Sequence, residues 1–401
     1  MRVLQINSTL NWGSTGRIAE EIGLEIMAVG GESYIAYGRY ANFSQSNSIR
    51  IGNKLDIYFH VLCTRIFDSH GLISIKSTQR LIDRIKEIRP DIIHLHNIHG
   101  YYLNFPILFK YLSISNIPIV WTLHDCWSFT GHCSHYMSID CNRWLSQCYK
   151  CPLKKEYPSS LLFDRSEKNY NEKKQCFNSI KDLTLVPVSD WLDNEIGKSF
   201  FQNRYSRVIH NGVDINIFSP QNSLKGKYGN SEKFVILGVC SVWIDKKGLP
   251  DFFLLREKLS ENYEIILIGL TKTQIKQLPQ GIIGIERTNS VQELAAYYSS
   301  ADVFFNPTWE DNFPTTNLEA LACGTPVITY KTGGSPEAID ENTGFVIEQG
   351  NLNEAIRAME QIKSVGKGAY TQACRERAVK YFNKKDRYAD YLQLYNEILN
   401  K

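Results

Sequence analysis

Residue types able to do chemistry concentrate in a few short stretches of this chain. The densest runs from Asn306 to Val327, where Glu310, Asp311 and Glu319 stand among Phe313, Pro314, Thr315 and Thr316, and Cys323-Gly324 closes the run. Seven residues separate Asp311 from Glu319. A helix opening near Thr315 places Glu319 one turn inside it. Its first N–H groups and the positive end of its dipole then favour a bound phosphate. Cations suited to the same anion come earlier, as Lys246-Lys247-Gly248 and Glu286-Arg287.

In the first half, Asn11-Trp12-Gly13-Ser14-Thr15-Gly16-Arg17 follows an apolar run and opens a helix. Gly13, Ser14 and Gly16 let backbone N–H groups approach a phosphate, although such turns also occur where nothing binds. Trp121-Thr122-Leu123-His124-Asp125 ends another apolar run with an imidazole beside a carboxylate. That pair can donate a hydrogen bond or take a proton, or the imidazole can simply be tied to a local carbonyl. His94 and His96 share a face of a strand by its two-residue period. Asn97 and His99, just beyond, are candidates for contacting an acceptor.

Cys133-x7-Cys141-x6-Cys148-x2-Cys151 ends in a C-x2-C pair, with Cys126, His132 and His135 alongside. Four thiolates at Cys133, Cys141, Cys148 and Cys151 suit a tetrahedral structural zinc, which leaves no open position for chemistry. Four reduced thiols in an irregular loop is the other reading.

These stretches need a scaffold. The chain's 401 residues point to two or three domains at roughly 150 residues each. Hydrophobic residues make up 43% and charged residues 22%, so the composition is that of a soluble globular protein. The 45 Lys and Arg against 42 Asp and Glu leave only +3, too little for a nucleic-acid binder. Residues 1–190 carry 21 basic and 17 acidic groups, which makes the first half the better candidate for touching a membrane surface. Ten cysteines are too few for a secreted disulfide scaffold. The N-terminal run reads as a first strand rather than a signal peptide, and no apolar run approaches the ~18 residues of a membrane span. A cytoplasmic location with reduced thiols is expected.

Short apolar strands alternate with helical patterns along nearly the whole chain, the signature of an α/β fold with parallel sheets. Strands are expected at 2–7, 33–37, 91–97, 118–124 and 183–188, then at 234–240, 264–268, 281–285, 302–306, 326–329 and 345–347. Helices are expected at 17–29, 77–88 and 384–401, the last amphipathic. Residues 129–181 break the rhythm and read as a Cys-rich insertion with helical content. The simplest account is two doubly wound sheets, meeting near residues 190–215.

In order along the chain, the 13–17 loop, Thr122–Asp125, His210-Asn211-Gly212-Val213-Asp214 with Phe218, Lys247-Gly248, Glu286-Arg287, Asp311-x7-Glu319 and Thr332-Gly333-Gly334-Ser335-Pro336-Glu337 resemble the retaining glycosyltransferases of family 4. The resemblance spans essentially the whole chain. It implies a GT-B fold, two doubly wound parallel-sheet domains facing a central cleft. Residues 1–195 would bind the acceptor, 205–380 the nucleotide-sugar, and the 384–401 helix would return to the first domain.

By the same resemblance, Glu319 would hydrogen-bond the ribose and Asp311 would sit by the donor sugar. Amides around Phe313, Thr315 and Thr316 would contact sugar and phosphates. Lys247 would clamp the diphosphate, Arg287 would lie near the nucleobase, and His124 would face the transferred sugar. No metal is implied for catalysis.

Three positions depart from the family pattern. Asp311 stands for the first Glu, with Glu310 beside it as the other candidate. Pro314 replaces a Gly, and Ser241-Val242-Trp243 occupies the place of an expected Arg, leaving Lys246 as a second cation. The implied reaction moves a sugar from a nucleoside-diphosphate sugar to a hydroxyl of a glycan or lipid-linked acceptor. Its implied setting is bacterial cell-surface polysaccharide biosynthesis (capsule, exopolysaccharide or lipopolysaccharide) at the inner face of the membrane, with peripheral membrane contact. The alternatives are a non-catalytic nucleotide-sugar-binding partner of another transferase, and a nucleotide-sugar epimerase or phosphorylase on the same fold.

Overall fold

The computed structural model describes residues 1–221 and 232–400, so the last residue of the expected 384–401 helix lies outside the described residues. The chain divides into two compact units, one formed by residues 1–210 with the stretch from Tyr388 onward, the other by Asn211–Arg387.

The first unit carries β1 (Arg2–Asn7), β2 (Glu32–Tyr37), β3 (Asn47–Arg50), β4 (Ile92–Leu95), β5 (Ile119–Leu123) and β6 (Leu183–Pro187). All pair in parallel, in the order β3-β2-β1-β4-β5-β6. Its helices are α1 (Gly13–Ala28), α2 (Lys54–Phe67), α3 (Ile75–Ile88), α4 (Phe105–Leu112), α5 (Ser166–Asn178) and α6 (Asp190–Lys198). The second unit has β7 (Phe234–Val239), β8 (Tyr263–Ile268), β9 (Ile282–Ile285), β10 (Val303–Asn306), β11 (Val327–Tyr330) and β12 (Gly344–Ile347), parallel in the order β12-β11-β10-β7-β8-β9. Its helices are α7 (Leu249–Lys258), α8 (Lys272–Lys276), α9 (Val291–Ser300), α10 (Thr315–Ala322), α11 (Leu352–Val365) and α12 (Gly368–Phe382). Then comes α13 (Lys384–Leu399).

Counted within its own unit, each sheet has the same order. Strand order reverses between β1 and β4 and again between β7 and β10, and a crevice opens at the carboxyl ends of such neighbours. Strands β4, β5, β6 and β11 are buried at every residue, as expected of parallel strands covered on both faces.

Elements absent from the sequence reading have a physical reason for being hard to see. Strand β3 is a polar edge strand, Asn-Ser-Ile-Arg, without an apolar face. Helix α2 buries His60 and Thr64 while Leu55, Tyr58, Phe59, Leu62 and Phe67 face outward, the reverse of the usual pattern. The 129–181 insertion is irregular apart from α5 and single 3-10 turns at Met137–Ile139 and Arg143–Leu145. It is tied to its unit by Lys173, whose ammonium donates to the carbonyls of Trp127 (2.7 Å) and Thr130 (3.0 Å).

The division between units falls inside α13. Lys384 bonds Asp214 (2.9 Å) in the second unit, whereas Tyr388, Tyr391, Leu392, Leu394, Tyr395 and Ile398 bury against Val3, Ile18, Ile22, Ile26, Ile92, Val120, Val186 and Ile209 in the first. Tyr395 is fully buried there, and its hydroxyl bonds His94 Nδ1 at 2.6 Å. Tyr395→Ala should therefore cost about 3–5 kcal/mol. Tyr395→Phe, which only strands the imidazole nitrogen, should cost about 1–3 kcal/mol. Urea unfolding of the two variants checks both, and an Ala variant as stable as wild type would show that this helix contributes nothing to the first unit.

Candidate functional site

In the second unit, the loops following β7 and β10 meet at the strand-order reversal. After β7 the chain makes a 3-10 turn, Asp245–Lys247, and leaves it through Gly248 at φ +80°. A Cβ at Gly248 would stand 2.2 Å from the Pro307 carbonyl oxygen, so only glycine lets the two loops close. Trp309 N–H then donates to the Lys246 carbonyl (2.9 Å).

These backbone contacts set up a knot of charges. Lys246 Nζ lies 2.8 Å from Glu310 Oε1, and Lys247 Nζ lies 2.7 Å from both Asp311 Oδ2 and the Glu310 carbonyl. Glu310 is buried and Asp311 partly exposed. Burial works against the charge on Lys247, but the charge and hydrogen bond of Asp311 outweigh it and leave its pKa raised.

Beyond the knot, α10 begins at Thr315, with Pro314 at its N-cap and no side-chain cap. Its first-turn amides, those of Thr315 and Thr316 included, are the donors that a helix start leaves without an intrahelical partner. Phe313 is buried, its carbonyl accepting from Asn211 Nδ2 (3.2 Å). Asn317 anchors the helix to the end of β10 through Asn306 Nδ2 (2.8 Å) and to the Gly-rich loop through the Ser335 carbonyl (3.3 Å). One turn in, Glu319 accepts from the Tyr298 hydroxyl at 2.9 Å. Burial, with the Glu319 charge, pushes the Tyr298 pKa well up and keeps this donor protonated.

Thus Lys246, Lys247, Glu310 and Asp311 come together, with Phe313, Thr315, Thr316 and Glu319 on the segment that follows. Arg287 stands exposed beyond β9, the edge strand three places from β10, and outside the charge knot. Trp243, at the position of the expected Arg, is a core residue whose indole donates to the Ile268 carbonyl (2.9 Å). Two supports were missed in the sequence: Tyr298 behind Glu319, and Asp251 accepting from Trp309 Nε1 (2.9 Å) and from the Tyr330 hydroxyl (2.8 Å). Nothing in local spacing marks them, since they reach the site only through the packing of α7 and α9.

The first unit has its own cluster at the β1/β4 reversal. Gly13, at φ +66°, and Ser14 are exposed at the start of α1, which Trp12 leaves without a side-chain cap. Gly16 is buried, and a Cβ there would lie 2.7 Å from Thr9 Oγ1. Across the reversal, Asn97, His99, His124 and Asp125 line one crevice.

The hydrogen bonds in this crevice determine which nitrogen carries each proton. Gln5 Nε2 donates to the Ala19 carbonyl (2.8 Å), which leaves Gln5 Oε1 to accept from His96 Nε2 (3.0 Å). His96 Nδ1 must then accept from His124 Nε2 (3.1 Å), which leaves Nδ1 as the unprotonated nitrogen of a neutral His124. Burial pushes the His124 pKa down to about 4, so the ring is neutral. Asp125 binds His99 Nε2 at 2.7 Å. Burial alone would raise its pKa, but the charge and bond of His99 hold it at about 2. His99 Nδ1 meets the Tyr157 hydroxyl at 3.0 Å. His94, stacked near His96, is committed to Tyr395 and to Thr122 Oγ1 (2.7 Å).

The zinc expectation at Cys133, Cys141, Cys148 and Cys151 finds no support in the structure. Cys133 and Cys151 hydrogen-bond to each other, and Gly131 N–H donates to Cys148 Sγ (3.2 Å). Sulfurs on one zinc, each ~2.3 Å from it, would lie about 3.8 Å apart. Among the described residues no three of Cys133, Cys141, Cys148 and Cys151 gather even within 4.8 Å, nor do Cys126, His132 or His135 complete such a set. None of these cysteines is in a disulfide, and the zinc expectation is left without support.

The buried neutral histidines predict a pH dependence. Burial lowers the pKa of His60 to about 3 and of His124 to about 4, and holds His70, His94 and His96 well below the ordinary value. Above pH 6.5 both folded and unfolded forms are neutral. Below it the unfolded chain takes up protons that the folded chain refuses, so stability falls with pH by up to about 1.4 kcal/mol per unit for each group. Urea midpoints should drop steeply from pH 7 to pH 5, and a flat profile would contradict this reading.

Comparison with known proteins agrees with the geometry. The profile of Glycosyltransferase Family 4 matches residues 16–217, and that of Glycosyl transferases group 1 matches 233–364. WcaC of Escherichia coli K12, which carries the name of a colanic acid biosynthesis glycosyl transferase, is 22% identical over 89% of this chain and 90% of its own. The sulfoquinovosyl transferase SQD2 of Arabidopsis thaliana is 25% identical over 71% of this chain and 52% of its own. In fold, the chain superposes on sucrose-phosphate synthase of Thermosynechococcus elongatus with a TM-score of 0.74 at 15% identity, covering 100% of this chain and 99% of that one. On HepE of Anabaena, solved in complex with UDP-glucose, the TM-score is 0.64 at 16% identity, with 100% and 99% covered. A sheet pair of identical strand order, a lysine–carboxylate knot at one reversal and a family match across half the sequence lead to one assignment: this chain belongs to glycosyltransferase family 4, the nucleotide-sugar-dependent, retaining transferases of GT-B fold.

Proposed function

We propose that the protein transfers a sugar from a nucleoside-diphosphate sugar to a hydroxyl of a glycan or lipid-linked acceptor, with retention, in bacterial cell-surface polysaccharide assembly at the cytoplasmic face of the membrane. The observation that carries this is the knot of Lys246, Lys247, Glu310 and Asp311 beside the start of α10, with Glu319 one turn inside. The colanic acid name of WcaC supports the polysaccharide setting, and the UDP-glucose complex of HepE makes UDP-sugars the first donors to try.

In this reading Glu319, oriented by Tyr298, takes the ribose hydroxyls. Lys247 and the amides at Thr315 and Thr316 meet the diphosphate, with Lys246 adding a second positive charge. Asp311 rather than Glu310 addresses the sugar, because Glu310 is buried against Lys246 whereas Asp311 keeps an exposed edge. Arg287 serves the base. Gly13, Ser14 and Gly16 offer amides to a phosphate, and His124 faces the transferred sugar. Asn97 and His99 contact the acceptor.

As the bond from the anomeric carbon to the leaving phosphate oxygen breaks, its electron pair passes to the diphosphate. Lysine charge and a helix start stabilise that developing charge without a metal. The acceptor oxygen attacks from the same face, and its proton goes to the departing phosphate oxygen. A double displacement would need a carboxylate beneath the anomeric carbon; Asp311 and Glu310 each lie against a lysine instead, which favours the same-face route.

Glu319→Ala should weaken donor binding about 10- to 100-fold, the worth of charge-assisted hydrogen bonds, read by thermal shift against UDP-, GDP-, ADP- and dTDP-sugars. Unchanged affinity would remove Glu319 from the site. Lys247→Ala should lower kcat about 100-fold or more, and NMR of the product should show a retained anomeric configuration. An inverted product would overturn the same-face mechanism. The core position of Trp243, where a cation was expected, favours one second reading, a nucleotide-sugar-binding partner without turnover. Donor consumption by the wild-type chain separates the two.

A further inference from the structure

Helix α2 is built inside out. Leu55, Tyr58, Phe59 and Leu62, spaced as one helical face, are each more than half exposed, while His60 and Thr64 are buried on the opposite side. His60 is held there by Ser74 Oγ (2.8 Å) and by the Gly71 N–H (3.0 Å), and Thr64 bonds back to the His60 carbonyl (2.9 Å). Its rotation is therefore fixed, and the apolar face cannot roll inward.

A second element extends the face. Leu161, Leu162 and Phe163 are three consecutive apolar residues, each more than half exposed. Their strip is clamped to the end of α2 by Leu161 N–H donating to the Arg65 carbonyl (2.7 Å) and Phe163 N–H to the Ile66 carbonyl (3.1 Å). Phe163 stacks on Phe67 with ring centroids 5.8 Å apart. Lone exposed apolar residues are ordinary, but a continuous helix face joined to a loop of the same character marks a docking surface.

Charge identifies the occupant. Lys54 and Arg65 stand exposed near the two ends of α2, and Lys154 is bonded to the Leu162 carbonyl (3.1 Å) beside the loop. The one acid on α2, Asp56, is occupied by its capping box with Asn53 and by Ser77 (3.2 Å). Arg50, Arg80 and Arg84 line a depression on the neighbouring β3 and α3 together with Asp83, Arg84 being paired with Glu87. In all, residues 50–89 hold eight Lys and Arg against four Asp and Glu, of which Asp68 is buried. An apolar stripe rich in Leu and aromatic rings with a cationic rim matches a lipid surface that is anionic at its headgroups and apolar below.

We infer that the outward face of α2, with the 161–163 loop, docks this protein onto an anionic membrane leaflet, Leu and aromatic side chains entering the headgroup–acyl boundary and Lys54, Arg65 and Lys154 meeting lipid phosphates. This places the membrane contact of the proposed function on named residues and rests on that reading only for its setting. The surface holds none of the donor residues, so its failure and that of the transfer reaction are read separately.

The full chain should co-sediment with mixed phosphatidylcholine–phosphatidylglycerol vesicles about tenfold or more better than with pure phosphatidylcholine, and less so as salt is raised. Leu162→Ser with Phe163→Ser, or Tyr58→Ser with Leu62→Ser, should each weaken vesicle binding about tenfold. Lys54→Glu with Arg65→Glu should abolish the preference for the anionic lipid. Urea midpoints within error of wild type would show that these surface variants remain folded, and unchanged donor affinity would show that the transfer site is untouched. Absence of sedimentation, equal binding by the stripe variants, or a solution dimer that the stripe variants dissociate would each overturn the inference, the last in favour of a second copy of the chain.

Discussion

The reversal of strand order is the constraint on which the rest depends. In each sheet the two central strands send their following segments to opposite faces, so a crevice between their carboxyl ends is left open to be lined by loops. Every residue of chemical interest in the second unit's knot sits in the loops after β7 and β10, and the imidazoles of His94, His96 and His124 in the first unit lie on or just beyond β4 and β5. A parallel sheet buried on both faces supplies the rigidity that lets such loops be short and polar.

The two crevices use opposite electrostatics. In the second unit the charges are kept, because each lysine has a carboxylate within hydrogen-bond distance and the pairs are only partly desolvated. In the first unit, burial has stripped the charge from His94, His96 and His124, and a chain of hydrogen bonds beginning at Gln5 sets their tautomers. Neutral, oriented imidazoles carry no charge to draw an anion into this crevice.

Much of this was legible in the residues themselves. Alternating apolar strands announce the parallel sheets, and Asp311 with Glu319, Lys246-Lys247 and the glycine turns lie at strand ends where a doubly wound sheet would use them. Helix α2 was not legible, because period-3.6 reasoning assumes the apolar side goes inward, and here His60 and Thr64 go inward instead. The cysteines show the limit of spacing in the other direction: C-x2-C is a local property, whereas a metal cage needs four ligands to converge, and among the described residues no such cysteine set is found.

The sequence by itself determined which segments become strands and helices, and which loops hold anion-seeking and proton-handling groups, because periodicity and turn chemistry act over a few residues. Only the tertiary structure decided who partners whom. It set Asp311 on Lys247 and Glu310 on Lys246 across 64 residues of chain, Tyr298 behind Glu319, and His94 against Tyr395 across 301 residues. It also turned the apolar face of α2 to the solvent. Pairings over such separations follow from how the sheets are wound and packed, and no local pattern encodes them.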